Sequence, residues 1–417
     1  MAYVLVINSG SSSVKFQIVD PQASASEKPF VSGLVEQIGE PQGRITVKHG
    51  ENKWVVQRAV PTHTVGLQEA FRLMDLKGVG PTQIELSAVG HRVVHGGMVF
   101  SEPELIIDQV VEMIRDLTPL APLHNPANVD GIEVARALLP HVPHVAVFDT
   151  GFFRALPPAA ALYAINAEVA EQNLIRRYGF HGTSHAYVSE RGSELAGSLK
   201  QGGWLTAHLG NGSSTCAIWN GESVDTSMGL TPLEGLVMGT RSGDVDPSLH
   251  SFLAANLGWD VYKIDRMLNK ESGLLGLSDN LSNDMRTLIE ASENGNEDAT
   301  LAIEVFCYRL AKSLAALSCG LPRLDGLFFT GGIGENSAYI REKTMAYLPH
   351  FGFNLDKDAN NVLKRGTEGR IDNGTGPQIW VVPTDEEGRI AKETQSVVEQ
   401  EVENTTAKKS EPEATLA

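Results

Sequence analysis

The chain opens with an apolar run that stops abruptly in small polar residues. Residues 4–20 read VLVINSGSSSVKFQIVD, an apolar strand, a Gly/Ser/Asn turn and a second strand of alternating apolar and polar residues. The stretch 204–226, WLTAHLGNGSSTCAIWNGESVDT, repeats this design and pairs Gly10 with Gly212. Two hairpins with the same turn chemistry, half a chain apart, predict a duplicated domain with a cleft between the copies.

Strand-like and helix-like patterns alternate along the rest of the chain. Four apolar runs end in glycine or acidic turns, namely SAVGHRVVHGG, HVAVFDTG, LDGLFFTGGIGEN and IWVVPTDEE. Between them lie helical patterns such as residues 261–269 and 298–317. This alternation predicts an α/β fold with functional residues at the strand ends. Beyond Lys392 the chain is rich in Glu, Thr, Ser and Lys, which predicts a short continuation of a helix and then disorder.

Composition narrows the class of protein. The 417 residues are 42% hydrophobic and 20% charged, which is typical of a globular chain of two or three domains. No apolar run reaches transmembrane length and no signal-peptide pattern begins the chain. Three sparse cysteines, Cys216, Cys307 and Cys319, predict a reducing cytoplasm. A formal net charge of −17 argues against nucleic acid as a partner, so an anionic substrate needs arginines concentrated locally.

Three glycine-rich turns follow predicted strands, at residues 8–13, 210–215 and 331–336. Such turns expose backbone N–H groups that suit phosphate oxygens, although each alone is equally consistent with an ordinary hairpin. Three in one chain favour nucleotide binding. No G-x-x-x-x-G-K-[ST] motif occurs, and the nearest dinucleotide pattern, at residues 210–215, leads into a strand, so neither a P-loop nor a Rossmann site is predicted.

Positively charged groups lie close to these turns. Arg92 in GHRVVHGG is placed to bind a carboxylate or phosphate, and His181 in RRYGFHGTSH is placed to face an anion. The pair His91/His95 lies on a predicted strand and lacks the Glu of H-E-x-x-H, which favours structural histidines over zinc. The pair His181/His185 has no carboxylate or cysteine company, so no metal is expected there either. Arg241 in GTRSGDVDP either serves the same anion or forms an ion pair within its loop. These three groups suit phosphoryl transfer, which needs donors around the phosphoryl oxygens.

Oxygen ligands for Mg²⁺ also lie at predicted strand ends. Asp149 in VFDTG, Glu386 in PTDEEG and the amide of Asn8 together suit a hydrated Mg²⁺ on the nucleotide. Acidic residues at such positions also serve as helix caps.

The same motifs resemble the acetate kinase family, within the actin/hexokinase/Hsp70 superfamily. VLVINSGSSSVK and HLGNGSS match its two diagnostic stretches, and GHRVVHGG, LAPLHNPAN, VFDT, RRYGFHGTSH, GTRSGDVDP, DMR, FTGGIGEN and PTDEE follow in family order, over about residues 3–392. The resemblance implies two duplicated actin-like (ribonuclease H-like) domains. It implies reversible Mg²⁺-dependent transfer, with Mn²⁺ as an alternative ion, of the ATP γ-phosphoryl group to acetate, giving acetyl phosphate and ADP.

The family likeness also predicts the domain boundaries and a homodimer. Residues 1–150 with about 385–400 are expected to form the acyl-substrate and dimer-side domain, 151–384 the nucleotide-binding domain, and 401–417 a disordered tail. The partners expected are acetate and ATP, with no nucleic acid and no membrane. Transfer is expected to be a direct in-line displacement, because the cluster contains no obvious activated nucleophile.

Site residues follow from the family motifs. Asn8 and Glu386 are expected to contact magnesium, Arg92 the acetate carboxylate, and Asp149 the magnesium or the acceptor. His181 and Arg241 are expected to stabilise the transferring phosphoryl group. The residues expected around the acetate methyl are Val94, Leu123, Phe180 and Pro232. The residues expected to hold the nucleotide are Ser11, Ser13, Lys15, His208, Leu209, Gly210, Asn211, Gly212, Asp284, Met285, Arg286, Gly331, Gly332, Ile333, Gly334 and Glu335.

Other interpretations and some departures from the family pattern remain. A propionate or butyrate kinase of the same fold is an alternative, since one methylene in an apolar pocket changes discrimination by only about 1–3 kcal/mol. A non-catalytic ATP-binding protein, like actin or the ATPase half of Hsp70, is a more distant one. Phe153 stands where the family usually has His, Asn166 where it has Pro, and PTDEEG replaces PTNEEL. These departures concern the surroundings of Asp149 and Glu386.

Overall fold

A computed structural model describes residues 2–23, 27–198 and 200–410. They form two compact units, one containing the chain up to Gly151 and again from Asp385, the other containing Phe152–Thr384. Within the described residues, no helix combines the length and the apolar character that a membrane span needs. Each unit is built on its own sheet.

Within the described residues, the fold contains strands of four to eight residues, two two-residue strands, and helices of very different lengths. The strands are β1 Tyr3–Ser9, β2 Ser13–Val19, β3 Val31–Glu36, β4 Gly43–His49, β5 Asn52–Arg58, β6 Leu86–Val93, β7 Glu104–Leu105, β8 His144–Phe148, β9 Gly203–Leu209, β10 Ser213–Trp219, β11 Glu222–Thr226, β12 Gly326–Thr330, β13 Gly369–Arg370 and β14 Gln378–Val381. The helices are α1 His63–Leu76, α2 Asp108–Asp116, α3 Asn125–Leu138, α4 Pro158–Ala161, α5 Ala167–Gln172, α6 Gly182–Leu195, α7 Leu249–Leu257, α8 Val261–Lys270, α9 Gly273–Leu277, α10 Met285–Glu293, α11 Glu297–Leu317, α12 Gly331–Asn336, α13 Ala338–Met345, α14 Lys357–Val362 and α15 Glu386–Ser410.

The first unit has an eight-stranded sheet in the order β5-β4-β3-β2-β1-β6-β8-β7. Strand β1 is antiparallel to β2 and parallel to β6, which is in turn parallel to β8. Apolar residues of β1 cover both faces of the sheet, because Leu5 and Ile7 pack towards α1 and α3 whereas Val4 and Val6 pack towards α15. This arrangement explains why the first strand reads as a continuous apolar run.

The second unit repeats the central part of this topology. Its sheet has the order β11-β10-β9-β12-β14-β13, with an antiparallel trio β11, β10 and β9 followed by the parallel strands β12 and β14. The first sheet has the same sequence of connections in β3, β2, β1, β6 and β8. The shared order shows a duplicated α/β architecture, as the two similar hairpins predicted.

The equivalence of the two hairpins differs from the sequence-based pairing by two residues. Gly10 and Gly210 each follow the last residue of their strand, and each donates its amide back across the turn, to Ser13 O at 2.8 Å and to Gly212 O at 3.0 Å. The structural counterpart of Gly10 is therefore Gly210 and not Gly212. The second turn is one residue shorter, since Leu209 pairs with Ser213 whereas Ser9 pairs with Val14.

The final helix also differs from the prediction. Residues 401–410, expected to be disordered, continue α15 to Ser410, and residues 411–417 lie outside the described part of the chain. No Gly or Pro interrupts residues 401–410, so the sequence has no helix breaker there. Near its start, α15 packs on the first sheet through Ile390 and Ala391.

Candidate active site

Three polar residues of the first unit lie at the carboxyl edge of its parallel strands. Asn8 in β1 pairs in register with Arg92 in β6, and Asp149 directly follows β8, with its amide donating to Val93 O at 2.9 Å. Ligands of open α/β sheets commonly bind at this edge because the strand-end loops meet there. The topology thus brings together side chains that are far apart in sequence.

Arg92 and Asp149 form a buried ion pair. Arg92 Nε lies 3.1 Å from both carboxylate oxygens of Asp149, and Arg92 Nη2 lies 2.5 Å from Oδ2, while Asp149 is only 1% exposed. Arg92 Nη1 donates to Asn8 Oδ1 at 3.4 Å. Burial alone would lower the pKa of Arg92, but the carboxylates of Asp149 and Glu386 raise it overall. Part of the guanidinium fork expected for a substrate carboxylate is therefore already bound to Asp149.

Glu386, the first residue of α15, lies in the same electrostatic environment. Burial raises the pKa of Glu386, and although Arg92 opposes this, the charges of Asp149 and Glu387 raise it further. Lys15, an exposed residue expected to contact phosphate, forms a salt bridge with Glu387 instead. Carboxylate and amide oxygens that crowd one another in this way fit a hydrated Mg²⁺, which binds few protein oxygens and keeps several waters. Among the described residues, no three His, Cys, Asp or Glu side chains form a closed metal cluster.

The other expected site residues of the first unit differ in accessibility. Ser11 is exposed at the tip of the β1–β2 turn, and Ser13 is half-buried at the start of β2. Val94 is buried just beyond β6, whereas Leu123 is 54% exposed. Asn128, to which we assigned no individual role from the sequence, accepts from Val94 N at 3.0 Å and donates to Ser9 O at 2.7 Å. It therefore ties the ends of β1 and β6 together.

In the second unit, His181 and Arg241 converge on the turn at Gly212. A Cβ atom built on Gly212 would lie 3.4 Å from His181 Nε2 and 3.5 Å from Arg241 Nη1. The absence of a side chain at Gly212 keeps the space in front of both groups clear. A hydrogen-bonding imidazole, a guanidinium and a glycine-rich turn are the groups that hold a phosphoryl group.

Arg241 is held by its own loop rather than by a carboxylate. Its Nη1 donates to Pro232 O at 3.2 Å, and the loop is attached to the glycine-rich turn where Gly239 N donates to Asn211 O at 2.9 Å. Burial lowers the pKa of Arg241. The alternative ion pair within the loop does not form, since Asp244 accepts from Gly235 N and Asp246 is bound to a backbone amide of its own turn.

His181 is fixed by both its backbone and its ring. It precedes α6 with φ of 59°, in the left-handed region, and its ring stacks on that of His208 with 4.4 Å between centroids. His208 accepts or donates through Nδ1 to Ser184 Oγ at 2.7 Å. His185, which the sequence paired with His181 without company for a metal, is buried, and its ring is bound to Thr206 and Ser214.

A cavity of about 710 Å³ adjoins the Gly210 turn. Its lining includes seven of the residues expected to hold the nucleotide: Gly210, Asn211, Asp284, Met285, Arg286, Gly332 and Ile333. Sequence reasoning missed the other seven: Asn283, Ile289, Glu290, Glu293, Asn336, Ser337 and Arg365. The sequence could have predicted three of these residues, Ile289, Glu290 and Glu293, because they follow Met285 and Arg286 at helical spacing on α10.

The remaining expected nucleotide residues support the loops rather than line this cavity. Leu209 is fully buried, and Gly331 adopts φ of +75°, with a Cβ there 2.8 Å from the Leu209 backbone, so only glycine fits. Glu335 Oε1 accepts from Gly331 N at 2.9 Å and from Thr384 N at 3.1 Å. Gly334 is buried, and its carbonyl accepts from Arg341 Nη1 at 2.9 Å.

Arg341 is a second supporting residue that the sequence did not reveal. It is only 2% exposed, and it donates to the carbonyls of Gly334 and Glu335 and to Asn360. Burial lowers its pKa to about 10. The guanidinium therefore stabilises the carbonyl end of α12 directly behind the glycine-rich loop.

Two of the three departures from the family pattern, Phe153 and Asn166, have structural roles that the contacts explain. Phe153 is buried with Leu156 and Cys216, and its ring lies 6.0 Å from that of His185. Asn166 caps α5 by accepting from Val169 N at 3.0 Å, a role in which Asn is favoured. Two residues of this unit are expected around the acetate methyl. Phe180 is buried and Pro232 is half-buried.

Comparison with known proteins agrees with these observations. The family model described as "Acetokinase family" matches residues 3–392. The chain is 53% identical to an acetate kinase of Corynebacterium aurimucosum, over 95% of this chain and 98% of that protein.

Solved structures show the same likeness. An acetate kinase of Porphyromonas gingivalis has a TM-score of 0.89 at 40% identity, and a propionate kinase of Francisella tularensis has a TM-score of 0.89 at 42% identity. Each comparison covers 95% of this chain and 100% of the other. The predicted fold class, α/β with two duplicated actin-like domains, is confirmed. The chain therefore belongs to the acetokinase family.

Proposed function

We propose that this protein is an acetate kinase, which transfers the γ-phosphoryl group of ATP to acetate, reversibly, giving acetyl phosphate and ADP. The observation that carries the proposal is the convergence of Arg241 and His181 on Gly212, next to the 710 Å³ cavity. Phosphoryl transfer requires little covalent chemistry from the protein. Positive donors around the oxygens of the transferring group supply most of the catalysis.

ATP occupies the cavity of the second unit in this proposal. Its base packs between α10 and the start of α12, on Met285 and Ile333, and its phosphates extend along the turn at Gly210 towards Gly212. Arg241 and His181 then bind the oxygens of the γ-phosphoryl group. The transfer is a single in-line displacement by a carboxylate oxygen of acetate, and the departing group is ADP.

The first unit supplies the acceptor side. The N–H groups of Arg92 that do not bind Asp149 hold the acetate carboxylate, and Asp149 keeps that guanidinium in place. Asn8 and Glu386 provide oxygens for Mg²⁺, for which Mn²⁺ is an alternative, and Asp149 lies close enough to share in this. When bound, the ion neutralises charge on the phosphates. The high pKa of Glu386 is consistent with a carboxylate kept near other carboxylates for a cation.

Acetate is the substrate favoured, with propionate as the second candidate. Val94, Leu123, Phe180 and Pro232 are proposed to contact the methyl group, and the likeness to a propionate kinase at 42% identity supports the second acid. We expect turnover with ATP to be highest with acetate, lower by about 10-fold with propionate and lowest with butyrate. Acyl phosphate trapped as hydroxamate, over a concentration series of each acid, measures this order.

Two outcomes of that series would change the proposal. Equal or higher kcat/KM for propionate would make the protein a propionate kinase of the same mechanism. ATP binding without formation of any acyl phosphate would contradict the kinase proposal altogether and favour a nucleotide-binding protein.

We also propose that the protein is a homodimer whose interface lies at α7 and the start of α8, in the second unit and not in the first, where the family likeness placed the dimer side. No residue of α7 is buried, although the helix reads LHSFLAANL, and Phe252 and Leu257 are both exposed. Val261 and Tyr262, at the start of α8, extend the same apolar surface. An apolar surface of this kind is typical of an interface between subunits.

Replacing Phe252 and Leu257 together by Glu is expected to convert a dimer to a monomer, because two carboxylates cannot be buried unpaired in the interface. Sedimentation velocity at micromolar concentration measures the halved mass. Leu76→Glu is the matched control, since Leu76 is equally exposed at the end of α1. A dimer that survives the double change would contradict this choice of surface.

A further inference from the structure

The side chains behind His181 form a hydrogen-bonded chain that the proposed mechanism does not use. Ser214 Oγ lies 2.9 Å from His181 Nδ1 and 2.7 Å from His185 Nε2, so that one hydroxyl joins two imidazole rings. On its other side, His185 Nδ1 lies 2.6 Å from Thr206 Oγ1, and this oxygen lies 3.5 Å from Cys216 O. The chain runs from the site into the core along β9 and β10.

The direction of these hydrogen bonds follows from the distances and from counting protons. Thr206 Oγ1 lies 2.6 Å from His185 Nδ1 and 3.5 Å from Cys216 O, so its one hydroxyl proton goes to the nearer acceptor, His185 Nδ1. His185 is buried and its pKa is lowered well below its usual value, first by burial and then by the charge of His208, so the ring is neutral and carries its hydrogen on Nε2. His185 Nε2–H therefore donates to Ser214 Oγ, and Ser214 donates to His181 Nδ1.

We propose that Ser214, His185 and Thr206 are positioning residues that make His181 Nδ1 an acceptor and so hold the hydrogen of His181 on Nε2, which faces the phosphoryl group near Gly212. This inference rests on the proposed function, in which His181 binds that group. The N–H at Nε2, the atom that lies 3.4 Å from the Cβ position of Gly212, then donates to a phosphoryl oxygen. These hydrogen bonds determine which nitrogen of His181 faces the substrate.

The surroundings of His181 agree with this role. His208 stacks on one side of the His181 ring, and Arg241 lies beside the same turn at Gly212. A flip of the His181 ring would therefore bring Nδ1 towards Arg241 and lose the bond to Ser214. Phe153 packs on the edge of His185 and keeps that ring in place. An apolar residue at position 153 suits the neutral state of His185, because it offers no competing hydrogen bond.

The first test is the tautomer of His181 in the folded protein without substrates. Nitrogen-15 NMR of histidine-labelled protein, with His181→Gln to assign the signal, is expected to show Nε2–H in the native chain and a mixture of tautomers in Ser214→Ala. Unchanged His181 signals in Ser214→Ala would overturn the proposal. Because no substrate is present, this result does not depend on whether the protein is a kinase.

The second test is steady-state kinetics. Ser214→Ala is expected to lower kcat for acetyl phosphate formation by about 10-fold to 100-fold, the usual effect of losing an orienting partner, with little change in KM for ATP. Ser223→Ala is the matched control: it removes another buried serine hydroxyl of the second unit, bound to Phe152 O at 2.8 Å, and should leave kcat within two-fold. Equal losses in both variants would mean a merely structural role.

A third variant pair covers the case in which Ser214→Ala does not fold. Thr206→Val removes the hydroxyl that donates to His185 Nδ1 while keeping the shape, and Thr206→Ser retains it. The valine variant is expected to lower kcat by about 10-fold and to alter the His181 tautomer signal, and the serine variant to restore both. Equal kcat in the valine and serine variants would contradict the proposed role of these hydrogen bonds.

Discussion

Arg241→Ala is expected to lower kcat for acetyl phosphate formation by about 10³-fold while changing KM for ATP little. Mutational losses of a single preorganised donor to developing charge reach this size. Arg241 is bound to no carboxylate and its pKa is lowered by burial, so its charge is not neutralised by the protein and is available to the phosphoryl oxygens. Rates of ADP release and of hydroxamate formation, over an ATP series, measure both constants.

Two further variants separate catalysis from folding. Arg241→Lys should recover only a small part of the rate, because an ammonium cannot place two N–H groups on one phosphoryl group. Arg266→Ala is the control, since Arg266 pairs with Glu271 at the surface of the same unit and its loss should leave kcat within two-fold. An Arg241→Ala protein that keeps a tenth of the native kcat would contradict the assigned role.

Arg92→Ala is expected to destabilise the first unit by about 3–5 kcal/mol as well as to abolish use of acetate. The carboxylate of Asp149 is almost fully buried and receives three contacts from the guanidinium, so removing Arg92 takes the cation away from a buried carboxylate. Calorimetric unfolding and hydrogen exchange of the β6 and β8 peptides measure the loss of stability, and turnover with acetate measures the loss of function.

The double variant Arg92→Met with Asp149→Leu distinguishes these two effects. It replaces the ion pair by apolar groups, so the unfolding temperature should recover towards the native value whereas acetyl phosphate formation should not. Arg58→Ala is the control for an exposed pair, since Arg58 binds Glu69 at 2.9 Å at the surface of the same unit. If Arg92→Ala unfolds at the native temperature, Asp149 does not depend on this partner.

Local sequence patterns predicted several elements accurately. The helical pattern at 298–317 corresponds to α11, Glu297–Leu317, and that at 261–269 corresponds to α8, Val261–Lys270. Both helices begin after a side-chain cap, Asn296 and Asp260, and alternate apolar and polar residues at helical spacing, so neighbours in sequence suffice to specify them. The two glycine-rich hairpins were recognised for the same reason, since turn residues act within a few positions.

Other features could not be read from neighbours in sequence. The ion pair of Arg92 with Asp149 joins residues 57 positions apart, and it arises because β6 and β8 are adjacent and parallel. Arg341 behind the α12 loop, and Asn128 between the ends of β1 and β6, likewise bind groups on other elements. A side chain that acts through such contacts carries no local pattern, because its partners are chosen by the sheet order.

The sequence by itself determined the α/β class, the duplication and the motifs that identify the acetokinase family, because each is encoded in short patterns of apolar, glycine and charged residues. Only the tertiary structure decided that Lys15 pairs with Glu387, that Arg241 has Pro232 O rather than a carboxylate as partner, and that Ser214 joins His181 to His185. Hydrogen bonds and ion pairs need atoms within about 3 Å of one another, and the packing of distant strands and loops alone sets that distance.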